Sequence, residues 1–486
     1  MDRTEIVLAT ANARYSHAAF GLRYLLANLG PLRDRATILE STIDQRPQDI
    51  VESILSLGPR VVGLGVYIWN VALMTDVVKT LKAVRPDVVI IIGGPEVGYE
   101  YEDTILYEAA DYLVRGEGEG VFAQLTEAIL DGRRPEPKVR EAAPMDPAAL
   151  TLPYDAYSDE DLAHRLTYVE ASRGCPFRCA FCLSSIEGPV RYFPLDPLLD
   201  EVGTLIERGA RRFKFVDRTF NIDEQRVEHV MRFFIEHWRD GMQVHFEIVP
   251  DLLTERMIEA MEPFPEAGLR LEVGIQTFNP DVHAAIARVQ NLAKTEDNIR
   301  LVRSRTGAVI HVDLIAGLPG ESIECFGVGF DRTLALEPHE IQVGILRRLK
   351  GTAIAKNAAA DGLVFAPYPP YEILQNRLLG FDDIQRLKRF ARIVDLYHNA
   401  GRFPRSLPLL LQSCASPFDT LIGLSDFVWN TTGRVHELSL SKRVELLRDY
   451  AAERGVPAAE MARALEEDYT AKPGRKDKLT FNPPSG

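Results

Sequence analysis

The sequence predicts an α/β chain in three parts: a doubly wound parallel sheet, an open partial (β/α)6 barrel and a mostly helical C-terminal domain. Three observations predict it. Short apolar, β-branched runs alternate with amphipathic stretches from Ile6 to about residue 130. The alternation halts across a stretch rich in proline and charge, then restarts at Thr167. It stops again after Lys350-Gly351-Thr352, beyond which helical patterns dominate. The boundaries read as 1–135, a linker at 136–165, 166–350, 351–470 and a disordered tail at 471–486.

In the first part, Ile6–Ala9, Ala36–Leu39, Val61–Val66, Val88–Ile92 and Tyr112–Val114 read as buried strands. Helices are expected at Phe20–Leu29, Pro47–Leu57 and Ala72–Val84. The order expected of such a sheet is flavodoxin-like. Ligands on such sheets sit beyond the carboxyl ends of the strands. Those ends carry Asn12–His17, Tyr67-Ile68-Trp69-Asn70, Gly93-Gly94-Pro95-Glu96 and Arg115-Gly116-Glu117-Gly118-Glu119-Gly120. Gly93, Gly94 and Gly116 let backbone approach a large flat ligand. Neither G-x-x-x-x-G-K-[ST] nor a helix-opening G-x-G-x-x-G is present, which disfavours ATP and NAD.

Residues 131–160, with Pro135, Pro137 and Pro144, read as an extended surface linker. In the middle part, strands are expected at Tyr168–Ser172, Phe213–Asp217, Val244–Val249, Leu269–Ile275, Val309–Ile315 and Glu340–Leu346. Helices are expected at Pro197–Arg208, Asp223–His237, Thr254–Met261 and Pro280–Val289. The strand ends of a barrel gather its chemistry. Here they bear a cysteine loop, Asp217-Arg218-Thr219, Glu247, Glu272 with Gln276, and Gly317-Leu318-Pro319-Gly320-Glu321. In the last part, Asp383–Asn399 and Ser441–Arg454 are amphipathic helices. Tyr397-His398-Asn399 reads as an exposed helix end, and Cys325 as a packing residue.

Composition narrows the partners. The chain has 486 residues and a formal net charge of −14, which disfavours nucleic acid and anionic membrane surfaces. Its start lacks a signal peptide's apolar core, and no run spans a bilayer. Five cysteines, three of them clustered, suit a reducing cytoplasm.

The most specific stretch is Arg173-Gly174-Cys175-Pro176-Phe177-Arg178-Cys179-Ala180-Phe181-Cys182. Three thiolates at C-x3-C-x2-C spacing can hold three corners of an iron–sulfur cube and leave one iron open. No fourth cysteine or histidine pair follows at zinc-finger spacing. This motif, with Leu271–Thr277 and Asp313–Glu321, resembles the radical S-adenosylmethionine (SAM) enzymes. With the strand–GG-P and strand–R-G-E-G-E turns ahead of it, the chain resembles their cobalamin (B12)-dependent class.

That resemblance implies a [4Fe–4S] cluster on Cys175, Cys179 and Cys182, with SAM on its open iron. It implies SAM contacts at Phe181, Asp217, Thr219, Glu272, Gln276, Gly317 and Leu318, with Glu247 and Glu272 as catalytic candidates. The carboxylates have a simpler alternative as ion-pair partners of Lys214, Arg270 or Arg288. Cobalamin contacts are implied at Asn12, Tyr67, Trp69, Asn70, Gly93, Gly94, Pro95, Glu96, Arg115, Gly116 and Glu117. The familiar D-x-H-x-x-G is broken at Tyr15–Gly21, so His17 is not expected on cobalt. The implied reaction is methyl transfer to an unactivated carbon of a small molecule or peptide. Rearrangement, cyclisation or ring contraction is the alternative within the class, and a cobalamin sensor or electron-transfer protein lies outside it. An external donor such as flavodoxin or ferredoxin is implied, with the helical domain closing the barrel mouth.

Overall fold

The five apolar runs of the first part become β1 (Ile6–Asn12), β2 (Ala36–Thr42), β3 (Val61–Gly65), β4 (Val89–Gly93) and β5 (Tyr112–Gly116) of a parallel sheet in the computed structural model. The structure describes residues 4–412 and 414–471. The predicted tail therefore lies outside the described residues, apart from Ala471. Two units partition the fold. One runs to Arg270 and takes back Arg347–Asn357 and Ala366–Glu372; the other comprises Leu271–Leu346, Ala358–Phe365 and the described chain from Ile373.

In the first unit the sheet order is β2-β1-β3-β4-β5, extended by β6 (Val139–Ala142) beside β5. β1 and β3 are buried along their whole lengths, as strands covered on both faces must be. One face packs Ile50, Ile54, Met74, Val77 and Leu81 from α2 (Pro47–Ser56) and α3 (Val71–Val84). The other packs Leu22, Phe122, Leu125 and Ile129 from α1 (Phe20–Ala27) and α5 (Glu119–Leu130). α4 (Ile105–Ala109) leads into β5.

The segment read as a surface linker is a built part of this unit. It supplies β6 and then α6 (Asp159–His164), opened by a Ser158–Asp161 capping box. Tyr154 and Tyr157 are buried. The buried Arg23 ties α1 to Glu40 at 2.9 Å and to Asp161 at 2.8 Å. Lys138, Arg140 and Glu141 hid the strand from the sequence, because a strand pairing on one side tolerates charge.

The cysteine loop follows β7 (Thr167–Val169). Its base is an antiparallel pair, β8 (Ser172–Arg173) and β9 (Arg191–Tyr192). Then come α7 (Leu195–Glu207), β10 (Arg212–Phe215), α8 (Glu224–Glu236), β11 (Gln243–Ile248) and α9 (Glu255–Met261). The order is β11-β10-β7, all parallel. Phe213, Phe215, Phe234 and Phe246 fill the layer between these strands and α8. β12 (Leu269–Gln276) opens here and continues into the second unit.

The second unit continues with α10 (Pro280–Ala285), α11 (Leu292–Arg305), β13 (Val309–Ala316), α12 (Ile323–Leu334) and β14 (Glu340–Ile345), in strand order β14-β13-β12. Strand–helix alternation therefore yields six strands, β7 before the cysteine motif and β10 to β14 after it, as the partial-barrel reading requires. The helix expected at Pro280–Val289 ends at Ala285, where Ala287 turns to φ +51°. A second helix, α11, starts behind the Asn291 cap.

α13 (Ala353–Asp361) and a short ladder, β15 (Val364–Phe365) with β16 (Ile373–Gln375), lead to the helical part. There α14 (Phe381–Val394) packs on α16 (Pro417–Thr432), and α18 (Ala458–Thr470) covers α15 (Ser406–Leu411) and α17 (Leu440–Glu453). One reading is corrected: Tyr397-His398-Asn399 is not an exposed end. Tyr397 is buried, stacks on Phe403 at 4.9 Å and donates to Arg443 O. The Asn399 amide bonds both the N–H and the carbonyl of Ile341, which completes the edge of β14. Among the described residues no helix is long and apolar enough to cross a membrane.

Candidate functional site

Residues 174–190 form a loop whose ends are clipped together by the pairs Ser172↔Tyr192 and Arg173↔Arg191. Gly174 enters at φ +89°, and any Cβ there would lie 2.5 Å from Pro189 O, so only glycine fits. Cys175 and Cys179 are buried and Cys182 is half-buried; none of the three is in a disulfide. Cys182 N donates to Cys179 O, and Cys175 Sγ lies 3.7 Å from Thr219 Oγ1. Among the described residues no group of three His, Cys, Asp or Glu has the geometry of a single-ion site. A cubane spreads its thiolates wider than one ion does, and a soft all-thiolate donor set suits iron–sulfur. The other cysteines are engaged elsewhere: Asn279 donates to Cys325 Sγ, and Cys414 donates to Leu411 O.

Two buried carboxyls hold the loop's base. Asp217 accepts from Ala171 N at 3.0 Å and from Ser172 Oγ at 2.5 Å. Burial pushes its carboxyl up to about 6, against the pull of those two donors. Glu170 is pushed up to about 7, again by burial and against the Arg173 charge. The role expected for Asp217 was SAM contact; the structure puts its carboxylate under β8, where it fixes the strand leading into the cysteines.

Arg173 is the centre of the electrostatics. Its guanidinium meets Glu117 at 3.2 Å, Glu119 at 2.7 Å and Glu170 at 3.0 Å, and lies 4.8 Å above the Tyr24 ring. These carboxylates hold its pKa well above the ordinary arginine value despite burial. Arg191 pairs with Glu117 and donates to Met145 O. Sequence reasoning missed this network. Its only trace was an arginine abutting Gly174 and two glutamates in a glycine turn more than fifty residues earlier.

A cleft of about 670 Å³ lies against these groups. That volume is in the range of cofactor pockets, roughly 300–1,000 Å³. One wall is the carboxyl edge of the first sheet: Tyr67, Gly93, Gly94, Pro95, Arg115, Gly116 and Glu117. The other includes Ser172, Arg173, Gly174, Leu183, Ile186, Val216 and Arg218. Gly94 and Gly116 take φ +110° and +86°. A Cβ on the first would collide with Val66 O, and on the second with Ala142 O. The wall is therefore bare backbone, suited to a large flat ligand.

Four residues expected at this wall are not among those lining the cleft. Asn70 is buried and latches the ends of β1 and β3, donating to Thr10 Oγ1, Ala11 O and Gly65 O while accepting from Tyr67 N. Asn12 bonds His17 O and Glu40. Trp69 donates to Ala11 O and stacks on Tyr67, with ring centroids 4.5 Å apart and planes 5° from parallel. Glu96 is buried against Lys350 at 2.9 Å and Tyr371 OH at 2.9 Å. His17 Nδ1 is 2.6 Å from Tyr168 OH, the rings stack, and burial lowers its pKa. It packs a loop and does not line the cleft.

The remaining candidates are placed by their own elements. Phe181 is half-buried in the cysteine loop and Glu247 is half-buried on β11. In the second unit, Glu272 and Gln276 lie on β12, and Gln276 takes φ +74° at its end. Gly317 turns at φ +95°, and Asn376 Nδ2 bonds the carbonyls of Gly317 and Leu318, both at 3.2 Å. Thr277 donates to the buried Glu321, whose carboxyl is raised to about 7 by burial.

The sign for Glu321 follows from linkage. A raised folded-state pKa favours the protonated fold, a stabilisation complete below the ordinary value of 4.5 and lost as pH climbs to about 7. Glu321→Gln imitates the protonated acid. Relative to wild type it gains on the order of 2–3 kcal/mol at pH 8 and little at pH 4.5. Urea unfolding at both pH values checks this; an equal difference at the two would refute it.

Comparison with known proteins agrees with this architecture. The B12 binding domain model matches residues 6–126, the Radical SAM superfamily model matches 169–328, and the model of a protein family of unknown function, DUF4080, matches 361–480. The chain therefore carries matches to a B12 binding domain and to the radical SAM superfamily, followed by a C-terminal DUF4080 match. It is 24% identical over 398 residues to the uncharacterized methyltransferase PH0819 of Pyrococcus horikoshii, covering 76% of this chain and 83% of that one. It is 27% identical over 339 residues to the cobalamin-dependent radical SAM methyltransferase TokK of Streptomyces tokunonensis, covering 62% of this chain and 48% of that one. Of the other curated relatives it likewise spans about half or less. The fold is that of the radical SAM methyltransferase TsrM from Kitasatospora setae, solved with cobalamin and a [4Fe–4S] cluster: TM-score 0.61, 19% identity, 80% of this chain and 82% of that one.

Proposed function

We propose that this chain is a methyltransferase that adds a methyl group to an unactivated carbon of a small molecule or peptide. One observation carries the reading: the glycine edge of the B12-type sheet and the base of the cysteine loop wall a single cleft. Reactive groups must be held near contact geometry to react, and a shared cleft supplies that. The names of PH0819, TokK and TsrM support methyl transfer over rearrangement.

When bound, the cluster, SAM and cobalamin supply an electron, a hydrogen-abstracting radical and a methyl group. The chain's residues do the rest. Cys175, Cys179 and Cys182 hold the cluster and leave one iron open for SAM. Asp217 fixes β8 through Ala171 and Ser172, and so fixes the loop. Gly94 and Gly116 give cobalamin a wall of bare backbone, and Tyr67, backed by Trp69, offers it a ring face. Phe181, Thr219, Glu272, Gln276, Gly317 and Leu318 serve SAM, with Glu247 and Glu272 the acid–base candidates. An external low-potential donor such as flavodoxin or ferredoxin would supply the electron to a bound cluster. Five cysteines outside any disulfide suit a reducing compartment, the cytoplasm.

The test is mass spectrometry of candidate substrates incubated anaerobically with reductant, SAM and cobalamin. The expected product carries one added methyl group, labelled when SAM is methyl-labelled. A product with rearranged bonds and no label would overturn methyl transfer while keeping the class.

His17 would not serve as a cobalt ligand, because its Nδ1 meets Tyr168 OH and the motif around it is broken. Electron paramagnetic resonance of the Co(II) form should lack nitrogen superhyperfine splitting, and His17→Ala should leave the spectrum unchanged. Splitting that vanishes in the variant would show the opposite.

A further inference from the structure

Arg173 stands directly before Gly174 and Cys175, on one of the two strands that close the cysteine loop. Three carboxylates from two segments converge on it. Glu117 lies in the turn after β5, Glu119 opens α5, and Glu170 lies in the turn between β7 and β8. Arg191, on the facing strand of the same ladder, grips Glu117 as well. Glu117, Glu119, Glu170 and Arg173 all line the cleft. The side chains that fasten the base of the loop are thus a wall of the cofactor site. The segment Arg347–Asn357 adds a separate strap: Lys350 pairs with Glu96 beside Pro95, and Ile354 N donates to Ala180 O within the cysteine loop.

A planar guanidinium shared among three carboxylates is a directional tie, because each N–H finds its partner only in one arrangement. Charge pairs strengthen as water leaves. A large ligand in the cleft expels water from one side of this network. A cluster on the three cysteines orders the loop on the other side. Two binding events that favour the same arrangement of one element are coupled, and the coupling is reciprocal.

We infer that Arg173 is a positioning residue that couples the two cofactor sites: cobalamin in the cleft and the cluster on Cys175, Cys179 and Cys182 each raise the affinity of the chain for the other. The inference rests on the cofactor assignment proposed above. Hydroxocobalamin is titrated by absorbance, under anaerobic conditions, into cluster-loaded and cluster-free full-length protein. The readout is the ratio of the two affinities, which a simple loss of a cleft contact would leave unchanged.

Wild type should bind about tenfold tighter when loaded, within the roughly 5–150-fold span of allosteric couplings. Glu119→Gln removes a charge but keeps the side chain's shape, and the ratio should fall at least about threefold. Arg173→Lys keeps the charge and loses the fork, and should lower the ratio similarly; Glu119→Gln carries the test if that variant does not fold. Equal affinities in loaded and free wild type would overturn the inference, as would an undiminished ratio in Glu119→Gln. Absence of any cobalamin binding to wild type would instead overturn the cofactor assignment, and the inference with it.

Discussion

Replacing Cys175, Cys179 and Cys182 together by alanine should abolish iron binding and reductive cleavage of SAM. Reconstituted wild type should hold about four iron and four sulfide per chain, and the triple variant none above background. The effect is total because the two other cysteines of the sequence stand elsewhere. Cys325 and Cys414 are engaged with Asn279 and Leu411, in the unit that does not hold the loop. Removal of a supporting residue should be milder: Asp217→Asn leaves every thiolate and perturbs only the strand beneath, a class of change that costs about 10–100-fold. Iron and sulfide analysis with visible absorbance reads both. Stoichiometric cluster in the triple variant would remove the cluster assignment and the radical chemistry with it.

Gly94→Ala should weaken cobalamin binding by about a hundredfold or more and destabilise the first unit by ~3–5 kcal/mol. At φ +110° a side chain is strained by itself, by about 1–3 kcal/mol. The new Cβ would also meet Val66 O, and it cannot retreat. Val66 N donates to Gly93 O at 2.8 Å, so the two backbones are locked where the clash occurs. Relief means breaking the ladder at the edge that forms the cleft wall. Gly98, four residues on and also in the wall, is the control. Its φ is ordinary, and a Cβ would find its nearest neighbour at 3.7 Å, in normal contact. Gly98→Ala should therefore cost under about 1 kcal/mol and leave affinity within a few-fold. Chemical denaturation and cobalamin titration of the pair decide it; equal behaviour would mean that the wall does not depend on bare backbone at position 94.

The sequence was most legible where chemistry or burial is written locally. The cysteine spacing states its donor set within eight residues, and the fully buried β1 and β3 announce themselves as unbroken apolar runs. What escaped was written at long range. Glu117 read as a cobalamin contact in a glycine turn and not as an ion-pair partner; Arg173 and Arg191 stand 56 and 74 residues away, and no periodicity links them. Asn70 and Glu96 were legible as strand-end polar residues, but not as latches, because their partners come from other strands or from Lys350. α11 was lost because Lys294, Glu296, Asp297 and Arg300 dilute its apolar face. Asn399 was misjudged for a related reason: a polar residue at a helix end is usually solvated, and only the bare edge of β14 gives it another task.

The two-residue ladder of β8 and β9 has a consequence for how the protein matures. A free loop of roughly 17 residues costs about 2.5 kcal/mol to close, apart from a length-independent constant. Were the cysteines carried on an open segment, iron would have to supply that ordering on arrival. Here the clip, anchored through Arg173 and Arg191, brings the loop's ends together through the chain's own bonds. The ordering left for cluster assembly is then confined to the residues within the clip, which lowers the cost of loading the thiols.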